Sequence, residues 1–141
     1  MQSQQIAQVI QSFYPDVQGV YLFGSHASDY ERIDSDIDIA ILLPHLTAKK
    51  AGDLTLGDCW QALNHLSNKS IDLINLRLAN TVFQHEIIHT GQLILNKNQT
   101  AVDEFEMLCM SFYQKLNEER REIIADIIRQ KRILAVPVSG R

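Results

Sequence analysis

The chain has 141 residues, a formal net charge of −4 and 45% hydrophobic residues. This size and composition predict one domain, residues 1–141, and exclude disordered and collagen-like classes. No apolar run approaches the ~18 residues of a membrane span, and the N-terminus lacks the basic and apolar regions of a signal peptide. Cys59 and Cys109 form no CxxC pair, so we expect reduced thiols in a cytoplasmic protein.

The first third of the chain predicts a helix and two strands. Apolar residues at helical spacing predict a helix over 3–13, which Pro15 ends. The run GVYLF at 19–23 predicts a strand and a turn, followed by a short helix and loop over 26–35. Residues 36–43, DIDIAILL, alternate and then become wholly apolar. They predict a second strand that enters the core.

The middle of the chain predicts a long helix and a third strand. Residues 47–67 are helical in character. The alternating run SIDLINL at 70–76 predicts the strand, with Asp72 and Ile74 on the face opposite Ile71 and Leu73. The expected core positions of the helix are Leu54, Leu56, Trp60, Leu63 and Leu66.

The last third predicts a helix over 79–90 with Gly91 as its C-cap, a strand over 92–95, and a long helix over 101–133. The long helix carries two apolar stripes: Phe105, Leu108, Cys109, Phe112 and Leu116, then Ile123, Ile124, Ile127 and Ile128. The element order predicts a small mixed α/β fold, with a core of about residues 1–96 and a long C-terminal helix.

The main functional signal is Gly24-Ser25, then ten residues, then Asp36-Ile37-Asp38. Alternate residues of a strand point the same way, so the two carboxylates lie ~7 Å apart on one face and repel each other unless a cation binds between them. Mg²⁺ takes one or two carboxylates and completes its shell with phosphate oxygens. Asp72, within an apolar strand, is the candidate third carboxylate.

The glycine and serine suit a phosphate. Gly24 allows close approach of the backbone, and Ser25 adds a hydroxyl before a predicted helix N-terminus. Each feature alone has a structural explanation: Gly-Ser as a turn, Asp-x-Asp as a solvated strand end, Asp72 as an edge residue. Their conjunction in this order, on these predicted elements, indicates a site for a metal–triphosphate.

With these motifs, the stretch GSHASDYERIDSDIDIAIL resembles the nucleotidyltransferase superfamily of DNA polymerase beta and kanamycin nucleotidyltransferase, most of all its minimal, MntA-type members. The resemblance covers about residues 1–96. It implies a polymerase beta-like fold, with a small mixed sheet flanked by helices. It also implies a cytoplasmic antitoxin that transfers AMP from ATP to a tyrosine of a cognate HEPN ribonuclease toxin and thereby neutralises it.

The resemblance also implies roles for individual residues. Gly24 and Ser25 would hold the triphosphate. Asp36 and Asp38 would ligate both of two Mg²⁺ ions, or one ion that travels with ATP. Asp72 would ligate the second ion and help to deprotonate the attacking hydroxyl, as in two-metal catalysis.

The chain departs from the family pattern next to this motif. Minimal members often read GSRARG, whereas here His26 and Ser28 replace the arginines and Asp29 replaces the glycine. Aspartate tolerates positive φ better than most residues, so the turn can survive. Without the two arginine side chains, we expect weaker binding of the triphosphate. Arg32 is nearby, but we expect it to pair with a neighbouring acid.

A rival motif is HExxH over 85–89, which is typical of zinc metalloproteases. The predicted helix ends two residues later, and no third ligand stands out. We therefore interpret it as a surface helix whose polar edge carries the histidines, while Val82, Phe83, Ile87 and Ile88 pack inward.

Charge is unevenly distributed. Residues 29–38 hold five acids and one base, whereas the last 22 residues hold six Arg or Lys and two acids. An acidic body is a poor match for a nucleic-acid backbone, so we expect no direct nucleic-acid binding. The C-terminal helix either covers the sheet or docks a partner through its isoleucine stripe.

Two other hypotheses remain open at the level of sequence. The chain could modify a small molecule such as an aminoglycoside, although no second domain is expected to build an acceptor pocket. It could also be a catalytically silent module that only binds a toxin, although such a module would not need all three carboxylates.

Overall fold

A computed structural model describes residues 3–24, 36–67 and 69–135. Within these residues the helices and strands follow the predicted order, with one predicted helix replaced by two. The short helix predicted within 26–35 lies outside the described residues. In chain order the elements are α1 (Ser3–Phe13), β1 (Gly19–Phe23), β2 (Ile37–Leu42), α2 (His45–Ala51), α3 (Asp58–Leu66), β3 (Ile71–Asn75), a 3₁₀ turn (Leu76–Leu78), α4 (Thr81–Thr90), β4 (Gln92–Asn96) and α5 (Gln99–Ala135).

The four strands form one mixed sheet in the order β3-β2-β1-β4. β1 pairs antiparallel with both β2 and β4, whereas β2 and β3 are parallel. The β1–β4 register shifts between Val20 and Tyr21. The predicted small mixed α/β architecture is therefore confirmed.

The sheet is buried on both faces, which explains why β1 and β2 are almost wholly apolar. One face packs against α1 and α3 and includes Ile37, Ile39 and Ile41 of β2. The other lies beneath α4 and α5 and includes Ala40 and Leu42. Because side chains alternate along a strand, Asp38 belongs to the second face.

The helix predicted over 47–67 is wrong as a single element, because the chain breaks between α2 and α3. Gly52 caps α2 with φ +60°, and Leu56 adopts φ 69°. Leu54 and Leu63 are buried as predicted, but Leu56 and Leu66 are 69% and 62% exposed. Leu56 lies in the connection between α2 and α3, and Leu66 is the last residue of α3.

Asn75 of β3 stabilises this break from the neighbouring strand. Its side-chain amide donates to the carbonyl oxygens of Ala48 at 2.9 Å and Gly52 at 3.0 Å. These carbonyls lie at the end of α2, where the Ala48 oxygen also accepts from the Gly52 amide at 3.1 Å.

α5 packs only its N-terminal part against the sheet. Val102, Phe105 and Cys109 are buried, whereas Leu108 and Phe112, predicted in the same stripe, are 46% and 55% exposed. The four isoleucines farther along are also exposed. No helix in the described part of the chain is long and apolar enough to cross a membrane.

A partly buried hydrogen bond connects α5 to the sheet. The Tyr21 hydroxyl of β1 donates to Oε2 of Glu106 at 2.5 Å. Burial and then this bond raise the pKa of Tyr21 well above its ordinary value, so the phenol stays protonated.

We expect Glu106→Ala to lower the free energy of unfolding by about 1–3 kcal/mol, because the Tyr21 hydroxyl then loses its charged acceptor within a buried site. Chemical denaturation of the wild type and variant measures this difference. Glu118→Ala on the exposed part of α5 is the control, with an expected change within about 0.5 kcal/mol. Equal stability of all three proteins would contradict the role of this bond.

Candidate nucleotidyl-transfer site

The sheet register brings two of the predicted carboxylates side by side. Asp38 of β2 pairs with Asp72 of β3 in the parallel ladder. Register partners in adjacent strands share a face, with their strands ~4.8 Å apart. Both side chains therefore project from the face beneath α4 and α5. Asp38 is half-buried and Asp72 is exposed.

Asp36 precedes β2 and is exposed. The neighbouring Ile37 amide donates to the Ser70 carbonyl at 2.8 Å, so the chain is already in register with β3 at this point. Asp36 and Asp38 are two residues apart and share a side where the backbone is extended. Three acidic residues thus lie near the beginning of two parallel strands.

Gly24 lies directly against the Asp38 carboxylate, on the side of β1. Its φ is +70°, and a Cβ added there would lie 2.2 Å from Oδ2 of Asp38. Any side chain would therefore strain the backbone and also collide with the carboxylate. Asp38 therefore occupies the space that a side chain at position 24 would need, a reason for glycine beyond the predicted approach of a phosphate.

The carboxylates act on each other electrostatically. Burial, followed by the charges of Asp72 and then Asp36, raises the pKa of Asp38 from its ordinary value of 3.8 to about 6. An uncompensated cluster of this kind favours binding of a cation, which would remove the repulsion.

The donor set suits Mg²⁺ because carboxylate oxygens are hard ligands. Within residues 3–24, 36–67 and 69–135, no cluster of three or more His, Cys, Asp or Glu side chains is placed to hold a metal ion by itself. Mg²⁺ commonly binds through one or two carboxylates and substrate phosphates rather than in an all-protein cage. The geometry therefore fits a cation that binds together with a nucleotide.

Part of the predicted motif lies outside the described residues. Ser25, the predicted triphosphate ligand, belongs to the segment 25–35, as do His26, Arg32 and the remaining departures from the family pattern. Their predicted roles stay predictions.

Aromatic residues flank the carboxylates, and the sequence offered no sign of this arrangement. Phe23 of β1 is the register partner of Asp38. Its ring meets that of Phe83 from α4 edge to face, with centroids 5.6 Å apart. Phe83 is only partly buried. A side chain of α4 therefore contacts the neighbour of Asp38 in the sheet, although sixty residues separate Phe23 from Phe83 in the chain.

Phe83 also lines an open groove between the beginning of α4 and the middle of α5. The groove has a volume of about 730 Å³. We call it the α4–α5 groove and define it by Val82, Phe83, Glu86, Leu116 and Arg120, which line it together with Asn80 and Thr81. Val82, predicted to pack inward, is instead 41% exposed here.

The histidines of HExxH contribute to helix packing. The His85 ring stacks on Tyr113 of α5, with centroids 3.6 Å apart and planes within 7°. His89 lies parallel to His85 at 5.6 Å. His85 therefore helps to hold α4 against α5.

Comparison with known proteins points to the same chemistry. A profile of the family described as polymerase beta, nucleotidyltransferase, matches residues 4–100. The protein adenylyltransferase MntA of Shewanella oneidensis is 32% identical over 124 residues, which cover 87% of this chain and 85% of that protein.

Solved structures are similar as well. A crystal structure of a toxin–antitoxin with AMP-PNP contains a chain 27% identical, with a TM-score of 0.70, covering 91% of this chain and 99% of that one. A structure of the tri-AMPylated HEPN toxin of Shewanella oneidensis with its MNT antitoxin contains a chain 27% identical, with a TM-score of 0.64, covering 89% and 95%.

Proposed function

This chain belongs to the polymerase beta nucleotidyltransferase family, and from that premise we propose that it transfers AMP from ATP to a tyrosine of a partner HEPN toxin, which is thereby neutralised. The observation that carries the proposal is the alignment of Asp38 with Asp72 beside Gly24. The adenylyltransferase and toxin–antitoxin relatives support AMP as the group and a toxin as the acceptor.

In this reaction the tyrosine oxygen attacks the α-phosphorus of ATP. A new O–P bond forms, the bond from the α-phosphorus to the bridging oxygen of the β-phosphate breaks, and pyrophosphate leaves with the bonding electrons. The tyrosine proton passes towards Asp72, which is exposed and can exchange it with solvent. No oxidation or reduction occurs.

The remaining residues position the triphosphate. Asp36 and Asp38 would hold two Mg²⁺ ions, and Asp72 would be a further ligand of the second ion. Bound Mg²⁺ neutralises phosphate charge and makes the acceptor hydroxyl easier to deprotonate. Gly24 is proposed to hold the triphosphate through its backbone, and Ser25 to bind phosphate oxygens through its hydroxyl. Positioning and charge compensation are most of what such a transfer requires.

The direct test uses ATP labelled at the α-phosphorus, MgCl₂ and the purified partner toxin. We expect label on a toxin tyrosine, loss of the toxin's ribonuclease activity, and no label when ATP carries it at the γ-phosphorus. Asp36→Asn should abolish the labelling. A stable complex without label would contradict transferase activity and favour a silent binding module, whereas label on an added aminoglycoside would contradict the protein acceptor.

A further inference from the structure

We propose that the α4–α5 groove is the acceptor subsite, which receives the segment of the partner polypeptide that carries the target tyrosine. This inference rests on the proposed function, because it names where the acceptor of that reaction binds.

Position is the first argument. An acceptor hydroxyl must reach the α-phosphorus next to the carboxylates. Phe83 lines the groove and contacts Phe23, the register partner of Asp38. Phe83 therefore links the groove to the sheet face from which Asp38 and Asp72 project.

The lining suits a polypeptide better than a triphosphate. Val82, Phe83 and Leu116 offer apolar surface to an aromatic ring or an aliphatic chain, while Glu86 and Arg120 provide one acid and one base. A triphosphate needs several compensating cations, and these lining residues include a single one. The volume of about 730 Å³ is that of a typical ligand site, larger than one side chain needs.

The course of α5 indicates a large partner. α4 begins at Thr81, opposite Leu116 and Arg120, so residues 121–135 of α5 extend past it by about 22 Å. On this extension Ile123 and Ile127 are 58% and 47% exposed. Each follows a lining residue of the groove by seven positions, Ile123 after Leu116 and Ile127 after Arg120, and so lies on the same side of the helix. The wall of the groove therefore continues as an apolar stripe, which a small-molecule acceptor would not need and a protein can cover.

The test measures initial rates of AMP transfer while ATP and the partner toxin are varied independently. For Arg120→Glu we expect the KM for the toxin to rise about tenfold or more, with the KM for ATP within about twofold of the wild type. Arg121→Glu is the matched control, because its side chain leaves the helix ~100° away and lines no part of the groove. Arg121→Glu should leave the KM for the toxin and the KM for ATP unchanged.

Val82→Glu is a second variant that should fold normally, because Val82 is exposed and a negative charge in the first turn of a helix is favourable. It should also raise the toxin KM selectively. An unchanged toxin KM in both variants, or a rise in the ATP KM instead, would overturn the inference while the wild type still transfers AMP. If the wild type transfers no AMP to the toxin, the proposed function fails, and the inference fails with it.

Discussion

Asp38→Asn is expected to reduce AMP transfer by about a thousandfold or more. The change removes the half-buried carboxylate that lies between Gly24 and Asp72 and that would hold Mg²⁺ against the triphosphate. Steady-state transfer of labelled AMP measures the loss. Asp58→Asn is the control, because Asp58 begins α3 on the opposite face of the sheet, and it should keep nearly full activity.

The same variant should be more stable than the wild type in the absence of Mg²⁺ at pH 7.5. The folded-state pKa of Asp38, about 6, lies above its ordinary value of 3.8. The protonated carboxyl therefore stabilises the fold below pH 3.8, and that contribution is lost as the pH rises through about 6. Asparagine stays uncharged, so the variant avoids the cost of a charged carboxylate at this position at pH 7.5.

After a discount for solvent screening we expect a gain of about 1 kcal/mol, or about 3 °C in Tm, at pH 7.5. The gain should shrink as the pH falls below 6. In the wild type, Mg²⁺ with a non-hydrolysable ATP analogue should raise Tm less below that pH, because the Asp38 carboxyl must first lose its proton to bind the metal. A variant less stable than the metal-free wild type at pH 7.5 would contradict the cost that burial and the neighbouring carboxylates impose on a charged Asp38.

Gly24→Ala is expected to reduce transfer by about a hundredfold, the scale of loss that a misplacement of ~1 Å can cause. Two penalties combine at this position. The φ of +70° is unfavourable for alanine, and the new Cβ would collide with Oδ2 of Asp38 unless the carboxylate moves. Rates at saturating ATP, together with Tm, measure the two consequences.

Gly52→Ala separates these penalties. Gly52 has a similar φ of +60°, but a Cβ there would meet nothing within 4 Å. It should therefore lower Tm through backbone strain and leave transfer almost intact. Equal losses of activity in both variants would show that strain alone is responsible and that the contact with Asp38 is unimportant.

Local pattern alone predicted most of the elements. Helical spacing over 3–13 and alternation over 70–76 identified α1 and β3, and Gly91 was correctly predicted as the C-cap of α4. The same local rules singled out Gly24 and the acidic residues as the candidate site, because a strand's periodicity determines which side chains share a face. Their catalytic roles remain predictions, and Ser25 lies outside the described residues.

Tertiary structure decided what depends on pairs of residues distant in the chain. Asn75 donates to carbonyls at the break after α2, more than twenty residues earlier, and helical periodicity over 47–67 could not reveal that contact. The collision that excludes a side chain at Gly24 depends on Asp38 in the neighbouring strand.

The α4–α5 groove likewise exists only where the beginning of α4 lies beside the middle of α5, and its Phe83 and Arg120 carry no local signature. The sequence by itself indicated which acids share a strand face and which glycine precedes them, since spacing along the chain records the faces of a strand. Packing alone decided how closely they approach one another and what surface lies beside them, because those distances arise from contacts that no local spacing encodes.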